Sequence, residues 1–487
     1  VILHLAQALP TVPPPVAEQI RGLSTELGRL QEQVTSLESA AGLGDGAHVA
    51  SRLSIFHGYL WVLVVAFLVS LIATPIMRRL AVTHGVVDRP GEARKLHRQP
   101  TAYLGGVAVY LGIIAAVAFS YAALVQPGLI DFHDVRADHA GDSLLPAPVP
   151  LSIVLGLTVI MLVGMIDDVT GLWPRVKVGG QLMAAAALAI DDVGVKVAAG
   201  VMAPIGRLIG SPDLVWNIPL PFQVPVVGVG SIEIDAVYWT GTAIIAIFVL
   251  GACNASNLID GLDGLLSGVT AIAMMGLLVI ALGLALHDHS ARDAQRIILC
   301  MAVLGACLGF LPHNFNPANI FLGDSGSLLL GFCTCVIILT LGEQGRTELV
   351  IAGLIIYALP IIDTVLAIVR RKMAHKRISS ADDQHLHHML KRALGVKGAV
   401  LSLYAIAASF AVFGVMISEV RARAVYVLAL VFAASIGVYA IKIARKKQLE
   451  DEMAGAEAAR ATKAGAEPAR PRSPEPVGTA PKSPASP

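Results

Sequence analysis

Asn254-Ala-Ser-Asn-Leu-Ile-Asp-Gly-Leu-Asp-Gly-Leu265 sets two amides and two carboxylates between long apolar runs. Asn254, Asn257, Asp260 and Asp263 recur every third residue, and each Asp precedes a glycine that permits a turn. Charge is costly in hydrocarbon, so ionisable groups at such a junction mark a functional site by default. Two further acidic junctions accompany it. Asp167 and Asp168 close an apolar run and are followed by Lys177 and Gln181. Adjacent carboxylates suit Mg2+, which takes oxygen ligands and keeps waters for substrate phosphates. Two acids that merely ended a helix would sit at the unfavourable end of its dipole. The third junction is Asn316-Pro-Ala-Asn-Ile-Phe-Leu-Gly-Asp324-Ser-Gly, in which Gly323 and Gly326 allow close backbone approach. Asp324 leads into the next apolar run, where capping a helix and holding a metal are compatible roles.

Cationic partners are present. His385-Leu-His-His388 follows Asp382 and Asp383, and His385 and His388 share a face if the segment is helical. No cysteine or H-E-x-x-H pattern supports zinc there, so these imidazoles read as phosphate or substrate contacts, with solvated surface as the bland alternative. Arg94, Lys95, His97 and Arg98, with Lys177, Arg370 and Arg371, can grip phosphate. The competing reading is that they only set membrane topology. A magnitude separates a site from a coincidence. Two like charges about 4 Å apart repel by roughly 4 kcal/mol at an effective dielectric of about 20. If Asp167, Asp168, Asp260, Asp263 and Asp324 converge, a divalent cation is needed to make the cluster tolerable. Mg2+, with Mn2+ as a substitute, plus a basic rim points to phosphoryl transfer.

The elements that must position these groups are membrane helices. The 487 residues are 55% hydrophobic and 15% charged, against about 25% charged in soluble domains. Mean hydropathy is +0.71. A net charge of +1 gives no reason to expect nucleic acid as a partner. Cys253, Cys300, Cys307, Cys333 and Cys335 lie in or beside apolar runs without metal or disulfide spacing, and read as small packing residues. A membrane span takes about 20 apolar residues. Spans are expected near 58–77, 103–125, 150–168, 177–194, 236–253, 264–286, 296–313, 325–343, 348–369, 398–419 and 423–443, about 11 in all. The expected fold is an all-α polytopic membrane protein, with an external hairpin near 214–235 where Pro, Val and Gly alternate loosely.

Basic residues follow the first and ninth spans and the chain's exit at Lys442–Lys447, whereas loop 126–149 is acidic. The positive-inside rule puts the N-terminus outside, the C-terminus in the cytoplasm, and every polar cluster on the cytoplasmic face. Three regions are expected: an extracytoplasmic segment 1–57, a transmembrane catalytic domain 58–443 and a disordered tail 444–487. Val1–Leu9 is apolar without a basic flank, which argues against a secretory signal. Ile20, Leu23, Leu27, Leu30, Val34 and Leu37 form a short heptad seam within 16–40, read as a self-associating helix that could make a homodimer, or as an amphipathic helix on the membrane.

DDVTGLWPRVKVGGQ, NASNLIDGLDGL, NPANIFLGDSGSL and DDQHLHH, with DRPGEARKLH and Gly105-Gly106 upstream, together resemble the polyprenyl-phosphate N-acetylhexosamine-1-phosphate transferases of glycosyltransferase family 4 type. The resemblance runs in order from about Phe56 to Ala444. It implies a Mg2+-dependent enzyme of the plasma (inner) membrane that moves N-acetylhexosamine-1-phosphate from a UDP-sugar to polyprenyl phosphate. UMP would be released and a cell-envelope polysaccharide begun. It further implies that Asp324, with Asn257 in the shell, binds Mg2+. Asp167 or Asp168 would meet the lipid phosphate, as base or by positioning, and Asp260, Asp263 and His385–His388 would hold the nucleotide sugar. The histidine motif and the Ile362-Asp363-Thr364 to Arg370-Arg371 run resemble the branch acting on UDP-N-acetylglucosamine. The alternative branch transfers phospho-N-acetylmuramyl-pentapeptide. Two other classes are weighed. A transporter of similar span number would carry its charges at mid-bilayer on broken helices, and a membrane scaffold would have no use for three acidic junctions.

Overall fold

The computed structural model describes residues 51–88, 101–126, 128–130, 132, 148–211, 214–219, 231–287, 292–373, 385–420, 423–439, 442 and 453. The heptad seam, Arg94, Lys95, His97, Arg98, Asp382, Asp383 and nearly all of the tail lie outside these residues.

The first helix, α1 (Arg52–Thr83), starts at a capping box in which Ser51 and Ser54 bond each other's backbone N–H. A short antiparallel pair follows, β1 (Val87–Asp88) with β2 (Thr101–Ala102). Then come α2 (Gly105–Val125), α3 (Leu151–Thr170), α4 (Pro174–Ile190), with proline at its first turn, and α5 (Val197–Ile209). The expected hairpin is present: β3 (Val215–Pro219) pairs antiparallel with β4 (Ser231–Asp235). Asp235 caps the next helix by accepting from the Tyr238 N–H at 3.0 Å. That helix, α6 (Ala236–Ile259), is followed by α7 (Leu265–His287), α8 (Asp293–Asn314), α9 (Gly323–Leu341), α10 (Thr347–Ile356), α11 (Ala358–Met373), α12 (Leu386–Val420) and α13 (Arg423–Tyr439).

The chain is an all-α polytopic membrane protein carrying two small hairpins. Among the described residues, eight helices are long and apolar enough to cross a membrane. The pair α10 and α11, bent by 77°, makes a ninth if it counts as one span. The expected spans 177–194 and 423–443 correspond to α4 and α13, which are shorter than the others. Burial separates centre from periphery: 94% of the apolar window of α9 is buried but only 22% of that of α6. α8 and α9 therefore form the centre, with α1, α2 and α7 packed on the first and α3 and α6 on the second. All five cysteines are buried and free, as expected of packing residues.

Close backbone contact locates the start of α9. A Cβ on Gly106 would stand 2.0 Å from the Gly326 nitrogen, and one on Gly164 would stand 2.5 Å from the Ser325 Cα. Only glycine lets α2 and α3 approach this turn so closely. The first N–H groups of α2, on Gly105 and Gly106, donate to the carbonyls of Phe321 and Leu322 at 3.0 and 2.8 Å. The Phe321 N–H in turn donates to Ala102 at 2.8 Å. The loop before Asp324 is thus clamped at a point where helix ends would otherwise leave backbone groups unsatisfied.

Candidate active site

The acidic junctions meet at one end of the α8–α9 pair. Asp168, at the last turn of α3, accepts from the N–H groups of Asp324 and Ser325 at 2.7 and 3.0 Å. Both of its carboxylate oxygens therefore cap the N-terminus of α9, where helix N–H groups lack intrahelical partners and a negative charge is favoured. This explains an acid that would be unfavourable at the end of α3 considered alone. Asp167 points elsewhere. One of its oxygens accepts from the Leu172 N–H at 2.6 Å and the other meets the Lys177 ammonium at 2.5 Å. Lys177, on the first turns of α4, also lies 2.5 Å from Asp324 Oδ2. Asn257 holds the other Asp324 oxygen, its Nδ2 donating at 2.8 Å, and also donates to Ser327 Oγ at 3.0 Å. Asn254 donates to Gln181 Oε1 at 3.0 Å, tying α6 to α4.

In front of Asp324 lies a cavity of about 250 Å3, lined among others by Tyr103, Asn257, Asp260, Gly261, Asp263, Asn314 and Ser327. Asp260 ends α6 and keeps part of its surface open. Burial first, and then the negative fields of Asp324, Asp168 and Asp263, push its carboxyl up to about 8. Tyr103 is pushed up to about 12 by burial and by Asp88, Asp168, Asp324 and Asp260. Asp263 instead fastens a loop, accepting from Asn316 Nδ2 at 2.8 Å and the Ala318 N–H at 3.1 Å. Asn314, the last residue of α8, accepts from the Gly264 N–H and Ser267 Oγ and donates to the Ile320 carbonyl. It joins the turn after α6 to the turn before α9.

The histidine motif forms a second layer. His385 Nδ1 and His387 Nδ1 lie 3.0 and 3.4 Å from the same oxygen of Asp363, on α11, whose other oxygen accepts from the Leu386 N–H at 2.9 Å. The two rings stack with centroids 5.2 Å apart, and His388 follows at 4.3 Å from His387. His385 does not line the cavity. His387 abuts the cavity's lip, since a Cβ on Gly261 would come 2.4 Å from its Nε2. One turn on, Lys391 shares that face; burial lowers its pKa, and the field of Asp263 opposes the shift. Arg370 is buried on α11, and Arg371 lies beside it, partly exposed; neither is on the cavity lining.

Of the residues singled out from the sequence, Asn257, Asp260, Asp263 and Asp324 line the cavity, and Asp167, Asp168 and Lys177 stand directly behind Asp324. Lys95 and His97 lie outside the described residues. Tyr103, Asn314 and Asp363 were not foreseen as site residues. The one acid inside the apolar run that follows Glu348 was the available signal for Asp363; Tyr103 and Asn314 carry no local signal.

A polytopic helical protein with a carboxylate-rich cavity at one end of its central helices is the class that the fold and site define. The family described as glycosyl transferase family 4 matches residues 150–342, which contain all three acidic junctions. The decaprenyl-phosphate N-acetylglucosaminephosphotransferase of Mycolicibacterium smegmatis is 32% identical over 354 residues, 70% of this chain and 77% of that protein. A Bacillus subtilis protein named probable undecaprenyl-phosphate N-acetylglucosaminyl 1-phosphate transferase is 31% identical over 363 residues, 73% and 85% of the two chains. The phospho-N-acetylmuramoyl-pentapeptide-transferase of Bacillus cytotoxicus is more distant, at 28% over 342 residues, 67% and 87%. The chain belongs to glycosyl transferase family 4.

Proposed function

We propose that this protein transfers N-acetylglucosamine-1-phosphate from UDP-N-acetylglucosamine to a polyprenyl phosphate, releasing UMP and leaving a sugar-linked lipid pyrophosphate. The carrying observation is the convergence of three separated acidic junctions on one cavity wall, in a chain of this family. The relatives named for N-acetylglucosamine are more similar than the one named for the muramoyl-pentapeptide, which supports the simpler sugar. The site faces the cytoplasm, where UDP-sugars are made. Counting α4, α13 and the bent pair as crossings restores eleven, because 17 residues of helix span about 25 Å, close to the hydrocarbon thickness.

A lipid phosphate oxygen attacks the β-phosphorus of the UDP-sugar as the bond from that phosphorus to the bridging oxygen of UMP breaks. A phosphate monoester is largely ionised near neutral pH, so aligning the two phosphates matters more than removing a proton. Lys177 brings a positive charge beside Asp324 and Asp167, where it can meet the lipid phosphate. Asp168 keeps the Asp324 turn in place and is a positioning group rather than the base. Asn257 orients the Asp324 carboxylate.

The donor set fits Mg2+: Asp324 and Asp260 supply hard oxygens on one cavity wall, and the ammonium already gripped by Asp324 and Asp167 marks a place that accepts positive charge. When bound there, Mg2+ would offset the charge of the pyrophosphate oxygens. The direct test is purified protein with polyprenyl phosphate, Mg2+ and a panel of UDP-sugars. UMP and lipid-linked product are expected from UDP-N-acetylglucosamine. Uptake of substrate into sealed vesicles without any lipid product would overturn the reading.

A further inference from the structure

Tyr103 lines the cavity but belongs to none of the acidic junctions. A nucleotide sugar brings phosphate oxygens, which only accept hydrogen bonds, to a wall whose carboxylates are also acceptors when ionised. Donors are therefore scarce there. Asn257 Nδ2 is committed to Asp324 Oδ1 at 2.8 Å and to Ser327 Oγ at 3.0 Å. Asn314 is buried, and its Nδ2 turns away to the Ile320 carbonyl at 3.0 Å. Ser327 is buried as well, with its hydroxyl directed back at the Asp324 carbonyl. Among the described lining side chains, that leaves the Tyr103 hydroxyl to donate into the cavity.

The phenol is held in place from two sides. The Tyr103 N–H donates to the Val86 carbonyl at 3.1 Å, and the preceding Ala102 bridges to Ile320 and accepts from the Phe321 N–H at 2.8 Å. The ring leans on that of Phe321, with centroids 5.9 Å apart. Backbone and ring are thus fixed to the loop that presents Asp324, so little ordering is left for a ligand to impose. Burial first, and then the fields of Asp88, Asp168, Asp324 and Asp260, push the phenol up to about 12. Near neutral pH it remains a neutral donor and adds no negative charge to an acidic site.

We infer that Tyr103 touches substrate, its O–H donating a hydrogen bond to a non-bridging oxygen of the UDP-sugar β-phosphate, the phosphoryl group that moves. No proton changes hands. The inference rests on the transferase reading and deepens it by adding a neutral donor to a wall of carboxylates. A donor already fixed on the phosphoryl oxygens costs no reorganisation during the transfer. The lipid phosphate is served separately, by Lys177 behind Asp324. Loss of the hydroxyl should therefore weaken use of the UDP-sugar and leave use of the polyprenyl phosphate almost untouched.

Tyr103→Phe keeps the ring against Phe321 and removes only the O–H. It should lower kcat/KM for UDP-N-acetylglucosamine by about 10- to 100-fold, the scale of one hydrogen bond to a charged group. KM for polyprenyl phosphate and the unfolding midpoint should stay near wild type. In place of Tyr103, para-fluorophenylalanine should behave as Phe does, and meta-fluorotyrosine, which keeps the O–H, should retain activity. Wild-type turnover in Tyr103→Phe, or equal changes in both KM values with a lowered midpoint, would overturn the proposal. A second readout needs no turnover. The 13Cζ signal of Tyr103, assigned by its loss in Tyr103→Phe, should move when UDP-N-acetylglucosamine joins Mg2+ without lipid acceptor, and 31P spectra of the same sample report nucleotide binding. Bound nucleotide with an unmoved Tyr103 signal would overturn the contact and leave the transferase reading standing. A moved signal without UMP release, once polyprenyl phosphate is added, would count against the transferase reading alone. Neither binding nor UMP release would overturn both.

Discussion

The two central helices α8 and α9 carry an ionic cluster at each end, and the two clusters differ in kind. At the far end, Arg296 is 3% exposed and bonds Asp293 at 2.6 Å, the Thr340 carbonyl at 2.9 Å and Glu343 at 3.5 Å. Arg292 pairs with the remaining Glu343 oxygen. Two guanidinium groups meet two carboxylates, and the charges cancel within the protein. At the site end, Asp167, Asp168, Asp260, Asp263 and Asp324 gather around Lys177 and Lys391, and negative charge is left over. Burying charge is tolerable only when it is paired. The balanced cluster is complete as folded and works as a structural clasp, whereas the unbalanced one calls for a cation and a ligand from outside.

Four experiments test that contrast, in decreasing order of expected effect. Asp324→Asn should lower UMP release by about 10^3-fold, the upper scale for losing one preorganised electrostatic contact to a transition state. Its unfolding midpoint in detergent should stay near wild type. Normal turnover in this variant would remove Asp324 from the reaction. Arg296→Met should do the reverse, because it strands buried carboxylates. A stability loss of about 3 kcal/mol is expected, with turnover per folded molecule retained; denaturant unfolding and the UMP assay read the two quantities separately.

The third experiment uses pH. Without divalent cation the folded protein keeps a proton on Asp260 up to about 8, whereas an ordinary aspartate carboxyl releases it near 3.8. The folded state thus binds more protons than the unfolded chain between about pH 4 and 8, so this group makes stability fall as pH rises through that window and level off above it. Saturating Mg2+ should flatten the slope by favouring the carboxylate. Unfolding midpoints at several pH values, with chelator or with Mg2+, decide it; a slope indifferent to Mg2+ would separate Asp260 from the cation. The smallest effect belongs to Arg52 and Glu419, a pair joining α1 to α12 with both side chains more than a third exposed. Arg52→Gln should change stability by less than about 1 kcal/mol, as exposed pairs do.

Much of this was legible in the chain itself. Spans are local objects: helix rises about 1.5 Å per residue, the hydrocarbon is about 30 Å thick, and an apolar run of about 20 residues announces itself. Acids at the ends of such runs are conspicuous for the same reason, so Asp167, Asp168, Asp260, Asp263 and Asp324 stand out in the chain itself. Crossings leave a weaker trace in the chain where Asp191 and Asp192 cut short the run that becomes α4, and where a 77° bend divides α10 from α11.

What the sequence alone determined, then, is the set of helices, the chemistry of their junctions and the family they belong to. The tertiary structure decided which partner each group takes. Lys177 reaches Asp324 across 147 positions, and Asp168 caps a helix by accepting from an N–H 156 positions later. Asp363 meets His385 only because α11 and α12 fold back on each other. No periodicity links residues so far apart. The long-range pairing of a carboxylate depends on which helix end is brought beside it, and glycines such as Gly106 and Gly164 set that approach by admitting one backbone against another.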